Sequence, residues 1–191
     1  RRLASVADAR GRLLEQWEGV NALQGAQRRL RRAQRGWART KPASSGRRRA
    51  TARLTRLHAT VAYRREHQLH ELTSGLVARY QTLVIEDLHV AGMLRNHRLA
   101  GRVGDQGFGE LRRQLTYKAD WYANQLVVAD RFYGSSKTCS ACGHYHHDLG
   151  SAPTFVCPAC ETVLDRDHNA ATNLARLALA DPQPIRTHAV E

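Results

Sequence analysis

Two cysteine pairs, Cys139-Ser-Ala-Cys142 and Cys157-Pro-Ala-Cys160, separated by 14 residues, constrain this chain more than any other feature. Two residues between cysteines let both thiolates of a pair reach one ion at about 2.3 Å, and two such knuckles complete the tetrahedral four-thiolate shell of structural zinc. Gly143 permits the tight turn after the first knuckle, and the chain has no other cysteine. Two disulfides or a redox-active pair are the alternatives, and disulfides fit poorly with an intracellular, arginine-rich chain of this size. His144, His146 and His147 lie between the knuckles. Four cysteines already fill the shell, so these histidines are expected at the exposed tip of the ribbon. A closed shell leaves no open position for water, which makes the zinc structural.

The chain around this module has 191 residues, enough for one ordinary domain and a small addition, and its 42% hydrophobic content supports a packed core. Lys and Arg number 30 against 17 Asp and Glu, a net charge of +13. Such a surplus, carried mostly by arginine, suits a polyanionic partner with phosphates to grip. An anionic membrane surface is the competing partner. No apolar stretch approaches the roughly 20 residues of a membrane span, and no signal-peptide pattern is present. The expectation is a cytoplasmic protein that meets nucleic acid and no membrane. Nothing in the sequence sets its oligomeric state. The chain opens at Arg1, and Met93 is its one methionine, so a piece of a longer protein or a processed product is expected.

Residues 3–20 read as two strands around a turn at Asp8–Gly11. A very basic helix is expected from Ala22 to about Thr40, a break over Pro42–Gly46, then a long helix from about Arg47 to Tyr80. In the second helix Leu54, Leu57, Val61, Leu69, Leu72, Leu76, Val77 and Tyr80 recur at helical spacings. The result is an antiparallel helical hairpin over 22–80 with an arginine-covered outer face. About a dozen basic residues lie between Arg28 and Arg56 with no acid to pair them, so internal salt bridges cannot account for them. Arg28, Arg29, Arg31, Arg32, Arg35, Arg47, Arg48 and Arg49 are therefore candidate contacts to a nucleic-acid backbone. The run 81–86 reads as a buried strand, 87–104 as a loop, Phe108–Asn124 as a helix and 125–131 as another buried strand. A last helix begins near Asn169 and fades by Pro182.

Glu86 ends the first of those buried strands, and Asp165 and Asp167 stand between the second knuckle and the last helix. Metal-dependent phosphodiester hydrolysis uses carboxylates converging from strand ends and a helix start, because hard oxygen ligands hold the magnesium ions. The plainer reading is that an aspartate at a helix entry caps the helix and that acids commonly end strands.

Four ordered segments bear on that choice: Val84-Ile-Glu-Asp-Leu-His-Val-Ala-Gly-Met93, the 109–121 helix, Ser135-Ser-Lys-Thr-Cys-Ser-Ala-Cys-Gly143 and Asp165-Arg-Asp-His-Asn-Ala-Ala-Thr-Asn-Leu174. Together they resemble the RuvC-like nuclease domain of the transposon-encoded TnpB proteins, the transposases of small insertion sequences and relatives of type V CRISPR effectors. The resemblance implies an α/β, RNase H-like (RuvC-type) domain with a helical hairpin insertion and a four-cysteine zinc ribbon. It implies RNA-guided DNA cleavage with catalytic magnesium, and DNA and a guide RNA as partners. Glu86 resembles the second catalytic carboxylate and Asp167 the third, with Asp165 a lower-ranked neighbour. The implied organisation is 1–134 for the first part of the domain, 135–163 for the ribbon, 164–180 for the last helix and 181–191 for a disordered tail.

The family's first carboxylate lies in an Asp-Xaa-Gly strand upstream of Leu3, and Asp8 falls in a turn too late to replace it. That first strand would be central, between the hairpin strands and the strand ending at Glu86. Unpaired buried backbone groups there would cost on the order of 1–3 kcal/mol each. The expectation is a domain lacking its first strand and inactive by itself. A nuclease-dead module that only binds DNA or RNA is the alternative.

Overall fold

The computed structural model describes residues 2–180 apart from Val20, Leu99 and Ser151. The expected tail at 181–191 lies outside the described residues. The chain divides into two compact units: Arg1–Gly19, Thr73–His89 and Arg112–Glu191 form one, and Val20–Leu72 with Val90–Leu111 form the other.

The first unit begins with β1 (Arg2–Ala7) and β2 (Leu13–Glu18), an antiparallel pair. The expected turn joins them. Asp8 accepts the N–H groups of Arg10 and Arg12 at 3.0 and 2.9 Å, and Gly11 takes a φ of 85° that a side chain would resist. β3 (Thr82–Glu86) runs parallel to β4 (Gln125–Ala129), with Glu86 opposite Ala129. Two continuously apolar runs predicted strands buried on both faces. Each in fact has one buried residue, Leu83 and Ala129, because each has a single ladder neighbour: β1–β2 and β3–β4 are separate two-stranded sheets. The carboxy-terminal helix α6 (Arg166–Ala180) packs against both β1 and β3. Its start lies three residues earlier than the sequence suggests. Asp165 accepts the N–H groups of Asp167 and His168 at 3.0 and 3.1 Å and so caps it.

The helix between β3 and β4, α5 (Phe108–Trp121), matches its expected place. In the first unit its buried Lys118 donates to the hydroxyls of Thr73 and Ser74 at 2.7 and 2.8 Å. Burial lowers the pKa of that amine from its ordinary value. β5 (Thr154–Val156) and β6 (Val163–Asp165) make a short antiparallel pair beside the cysteines.

The second unit holds the basic hairpin: α1 (Ala22–Ala38) and the greater part of α2 (Ser45–Arg79). Ala22 and Gly25 lie beside Tyr63 and His67, while Gly36 lies beside Ala50, so the helices run antiparallel as expected. The apolar stripe buries Ala22, Ala26, Leu30 and Ala33 from α1 with Val61, Leu69 and Leu72 from α2. Leu54 and Leu57 are only half-buried. Residues 87–104, expected as a loop, instead carry two short helices, α3 (Val90–Arg95) and α4 (Ala100–Gln106). Their glycines read as breakers in sequence, yet Gly101 and Gly104 sit inside α4, where Val103 and Asp105 are buried. Asp105 explains why α4 forms there. Its carboxylate accepts the N–H of Leu23 at 3.0 Å and pairs with Arg65 at 3.0 Å, capping α1, whose first turn has no acid of its own.

Candidate metal and carboxylate sites

The four cysteines meet. Their sulfurs all lie within 4.8 Å of one another, with Cys139–Cys160 at 3.7 Å and Cys142–Cys157 at 3.6 Å. A tetrahedron with metal–sulfur bonds of about 2.3 Å has edges of about 3.8 Å, so this cluster could hold one metal ion. The two knuckles are built alike. Gly143 donates its N–H to the Cys139 carbonyl at 2.9 Å, and Glu161 donates to the Cys157 carbonyl at 3.0 Å. Both turn residues are left-handed, with φ of 78° and 59°. Glycine accepts this freely and glutamate does not. Phe155, fully buried, packs with the buried Cys139 and Cys157 as a small core, and Leu149 rests on it. The hydroxyl and N–H of Thr162 draw the Cys160 thiol down to about 6, while at Cys142 the lowering effect of the His144 N–H is outweighed by the neighbouring sulfurs, Cys160 first, which push it up to about 12. His144, His146 and His147 stand outside the cluster. His144 contributes its carbonyl, which accepts the Cys139 N–H at 2.9 Å.

The ribbon is docked on α6 by residues that the sequence reading passed over. Asn169 accepts the Ser140 N–H at 2.8 Å and donates to the Thr138 carbonyl at 2.8 Å. One turn later Asn173 donates to the carbonyls of Ser135 and Thr138 at 2.8 and 2.7 Å. Arg176 reaches the Ser140 carbonyl. Asn169 and Asn173 are buried, and their i, i+4 spacing in Asn169-Ala-Ala-Thr-Asn173 was the signal available in sequence.

Glu86 stands exposed at the carboxyl end of β3, where the Ser135 hydroxyl donates to it. Ser135 is in turn held by Asn173, so Glu86 is tied to α6 through two contacts. Asp87 is committed elsewhere, gripped by Arg112 and by Arg131, the latter at 2.6 Å. Arg131 first, then Arg112, hold its carboxyl below the ordinary carboxylate range. Asp165 serves as the helix cap, the plainer of its two readings, and also pairs with Arg2 at 2.6 Å. Partial burial alone would raise its pKa, but the Arg2 guanidinium and the His168 N–H hold it below the ordinary value. Asp167 lies in the first turn of α6 with its side chain 62% exposed, 3.8 Å from Arg2. Arg2 thus brings Asp165 and Asp167 together, another residue that the sequence reading missed.

Of the candidate arginines, Arg28, Arg29, Arg31, Arg32, Arg35, Arg48 and Arg49 are exposed. Arg47 is half-buried and engaged: its guanidinium lies 3.5 Å over the Trp37 ring and donates to the Trp37 carbonyl at 2.6 Å. No helix among the described residues is long and apolar enough to cross a membrane.

A four-cysteine cluster docked on an α/β framework, in a chain that also carries a basic helical hairpin, defines a class of proteins with a candidate metal-binding ribbon. The family follows from two matches. Residues 1–97 match the family model OrfB_IS605, described as "Probable transposase", and residues 108–174 match the Cas12f1-like TNB domain. The chain belongs to the OrfB_IS605 (TnpB-type) transposase family. A candidate RNA-guided DNA endonuclease of Mycobacterium tuberculosis (strain CDC 1551 / Oshkosh) is 43% identical over 182 residues, covering 92% of this chain and 39% of the relative. InsQ of Escherichia coli (strain K12), carrying the same candidate designation, is 31% identical over 176 residues, covering 83% and 43%. The chain therefore spans about two fifths of the length of the curated relatives it matches. Among solved structures, Cas12f1 in its complex with sgRNA and target DNA aligns with a TM-score of 0.58 at 17% identity, over 90% of this chain and 48% of that one. That likeness speaks to fold.

Proposed function

We propose that this chain is the carboxy-terminal, nuclease-domain portion of an RNA-guided DNA endonuclease of the TnpB type, with an RNase H-like (RuvC-type) core. The observation that carries this reading is the placement of Glu86 at the end of parallel strand β3 and Asp167 at the start of α6, with α6 packed across β3. The separate β1–β2 and β3–β4 ladders, both covered by α6, also support it. In an RNase H-like sheet the first strand lies between two such ladders.

In this reading Glu86 and Asp167 would hold catalytic magnesium, which when bound would supply an activated water and charge stabilisation for the leaving oxygen. Their donor set fits a hard cation in kind, since both are exposed carboxylates not spent on a cap. Asp165 orients the start of α6 and so sets the position of Asp167. Ser135 fixes the rotamer of Glu86, and Arg131 with Arg112 anchors the strand end through Asp87. The four cysteines hold zinc, which shapes the ribbon and takes no part in bond cleavage. The organisation follows as 1–134, 135–163 and 164–180. DNA and a guide RNA are the partners, met in part by the exposed hairpin arginines, whose affinity falls steeply with salt. In the full-length protein, Glu86→Gln and Asp167→Asn are each expected to abolish guided cleavage while leaving RNA binding within about twofold. Cleavage that survives either substitution overturns the assignment of that residue.

One observation favours a second reading, a module that binds nucleic acid without cutting it. Arg2 sits 2.6 Å from Asp165 and 3.8 Å from Asp167, where a cation has to compete with it. Magnesium titration followed by NMR at Asp167 separates the two readings: saturable shifts favour the nuclease, and none favours the module.

A further inference from the structure

The loop end of the helical hairpin borders an open trough of about 540 Å³, lined by Arg32 and Arg35 of α1, by Arg39 just beyond its end, and by Arg49 and Arg53 of α2. Ala33, Gly36 and Ala50 line it as well, so small side chains keep the space open between the guanidinium groups. No acid occurs anywhere between Gly19 and Arg65, a stretch with 14 Lys and Arg. All five arginines are exposed. The walls are held in place by a clamp built on Trp37, which itself lines the space. Trp37 donates its indole N–H to the Thr51 hydroxyl at 2.9 Å, and Arg47 stacks on the same ring while donating to the Trp37 carbonyl. Fixing the two helices together at this end keeps like-charged groups facing one space, an arrangement that costs electrostatic energy until an anion enters.

We infer that this trough binds consecutive phosphates of a single nucleic-acid strand; the inference rests on the nucleic-acid reading above and gives it a site. At a rise of about 1.5 Å per residue, Arg32 and the C-cap residue Arg39 stand roughly 10 Å apart along the line of α1, enough to meet more than one phosphate of a strand. Guanidinium forks grip phosphate oxygens in pairs, which favours phosphate over a carboxylate chain of equal charge. Two of the residues, Arg39 and Arg53, lie outside the set that sequence alone nominated, because only the pairing of α1 with α2 brings them to one space.

The test uses the full chain and fluorescence anisotropy with single-stranded RNA and DNA oligonucleotides of one sequence across a range of salt. Arg39→Gln with Arg53→Gln is compared with Arg56→Gln and Arg64→Gln, which remove equal charge from α2 outside the trough. Circular dichroism checks that both variants keep their helices. The trough variant is expected to bind at least fivefold more weakly than the control, with the log–log salt slope shallower by about 1.4, two contacts at roughly 0.7 each. Loss on both oligonucleotides assigns the backbone alone, and loss on one assigns its sugar; either supports the site. If the unaltered chain binds but the two variants weaken alike, the trough inference fails and the nucleic-acid reading stands. If the unaltered chain binds neither oligonucleotide, both fail. Displacement by polyglutamate as effective as by unlabelled oligonucleotide also overturns the trough.

Discussion

Replacing Asp105 with alanine tests how the second unit is held together. The carboxylate is nearly buried, 7% exposed, and Arg65 opposite it is 28% exposed. It accepts from Leu23 at 3.0 Å, from Gln24 at 3.4 Å and from Arg65 at 3.0 Å. Losing the cap alone costs about 1 kcal/mol. Breaking a fully buried ion pair costs about 3–5 kcal/mol, and Arg65's partial access to water reduces that to about 2. The sum for Asp105→Ala is about 3 kcal/mol, or roughly a hundredfold at 1.4 kcal/mol per decade. Amide exchange at Leu23–Ala26 reads this directly, because opening of α1 exposes those groups. Asp105→Asn keeps an amide oxygen for the cap and loses only the charge, so it should cost about half as much. Exchange accelerated less than about fivefold by Asp105→Ala would refute the reasoning, as would equal effects of the two substitutions.

Three further outcomes are expected. Cys157→Ser should eliminate a stoichiometric zinc, measured by elemental analysis, and loosen the Phe155 core, measured by exchange at 154–156, since structural sites of this kind supply folding energy. Glu161→Gly should stabilise the zinc-loaded ribbon by roughly 0.5–1 kcal/mol by relieving the left-handed φ of 59°; Gly143→Ala, whose added carbon meets nothing within 4 Å, should cost about 1 kcal/mol through the backbone alone. Urea titrations should show stability lost as pH falls through and below about 4, because the lowered pKa of Asp87 means the unfolded chain binds its proton first. Asp87→Asn should flatten that dependence, and an unchanged slope counts against the pairing with Arg131 and Arg112.

The local, strongly patterned parts of this chain were legible. The knuckle spacing placed four sulfurs within 4.8 Å, and the 3.6-residue periodicity gave both hairpin helices to within a few residues. What failed to show were consequences of tertiary contact. The 87–104 segment reads as a loop because its glycines are weak helix formers, yet α4 presents Asp105 to the start of α1. Arg47 looks like its neighbours until Trp37 is found beneath it. The two roles of the Asp165 segment could not be divided by spacing either, since a cap and a metal ligand use the same side chain at the same helix entry. The N–H groups of Asp167 and His168, donating to Asp165, establish the cap.

The segment from Asp165 to Arg176 therefore has two faces with different duties. Asn169, Asn173 and Arg176 recur at four and three residues and hold the backbone of 135–140, the stretch that carries both Cys139 and Ser135. Ser135 then fixes Glu86. At the start of the same helix, Asp165 caps the first turn, which carries Asp167. One helix thus makes direct contacts to the ribbon, contacts Glu86 through Ser135, and carries Asp167, so residues 81 apart in sequence, at 86 and 167, are referred to the same element. A zinc ion that takes no part in chemistry would still bear on Glu86, because Cys139, which it would hold, follows by four residues the Ser135 that donates to Glu86.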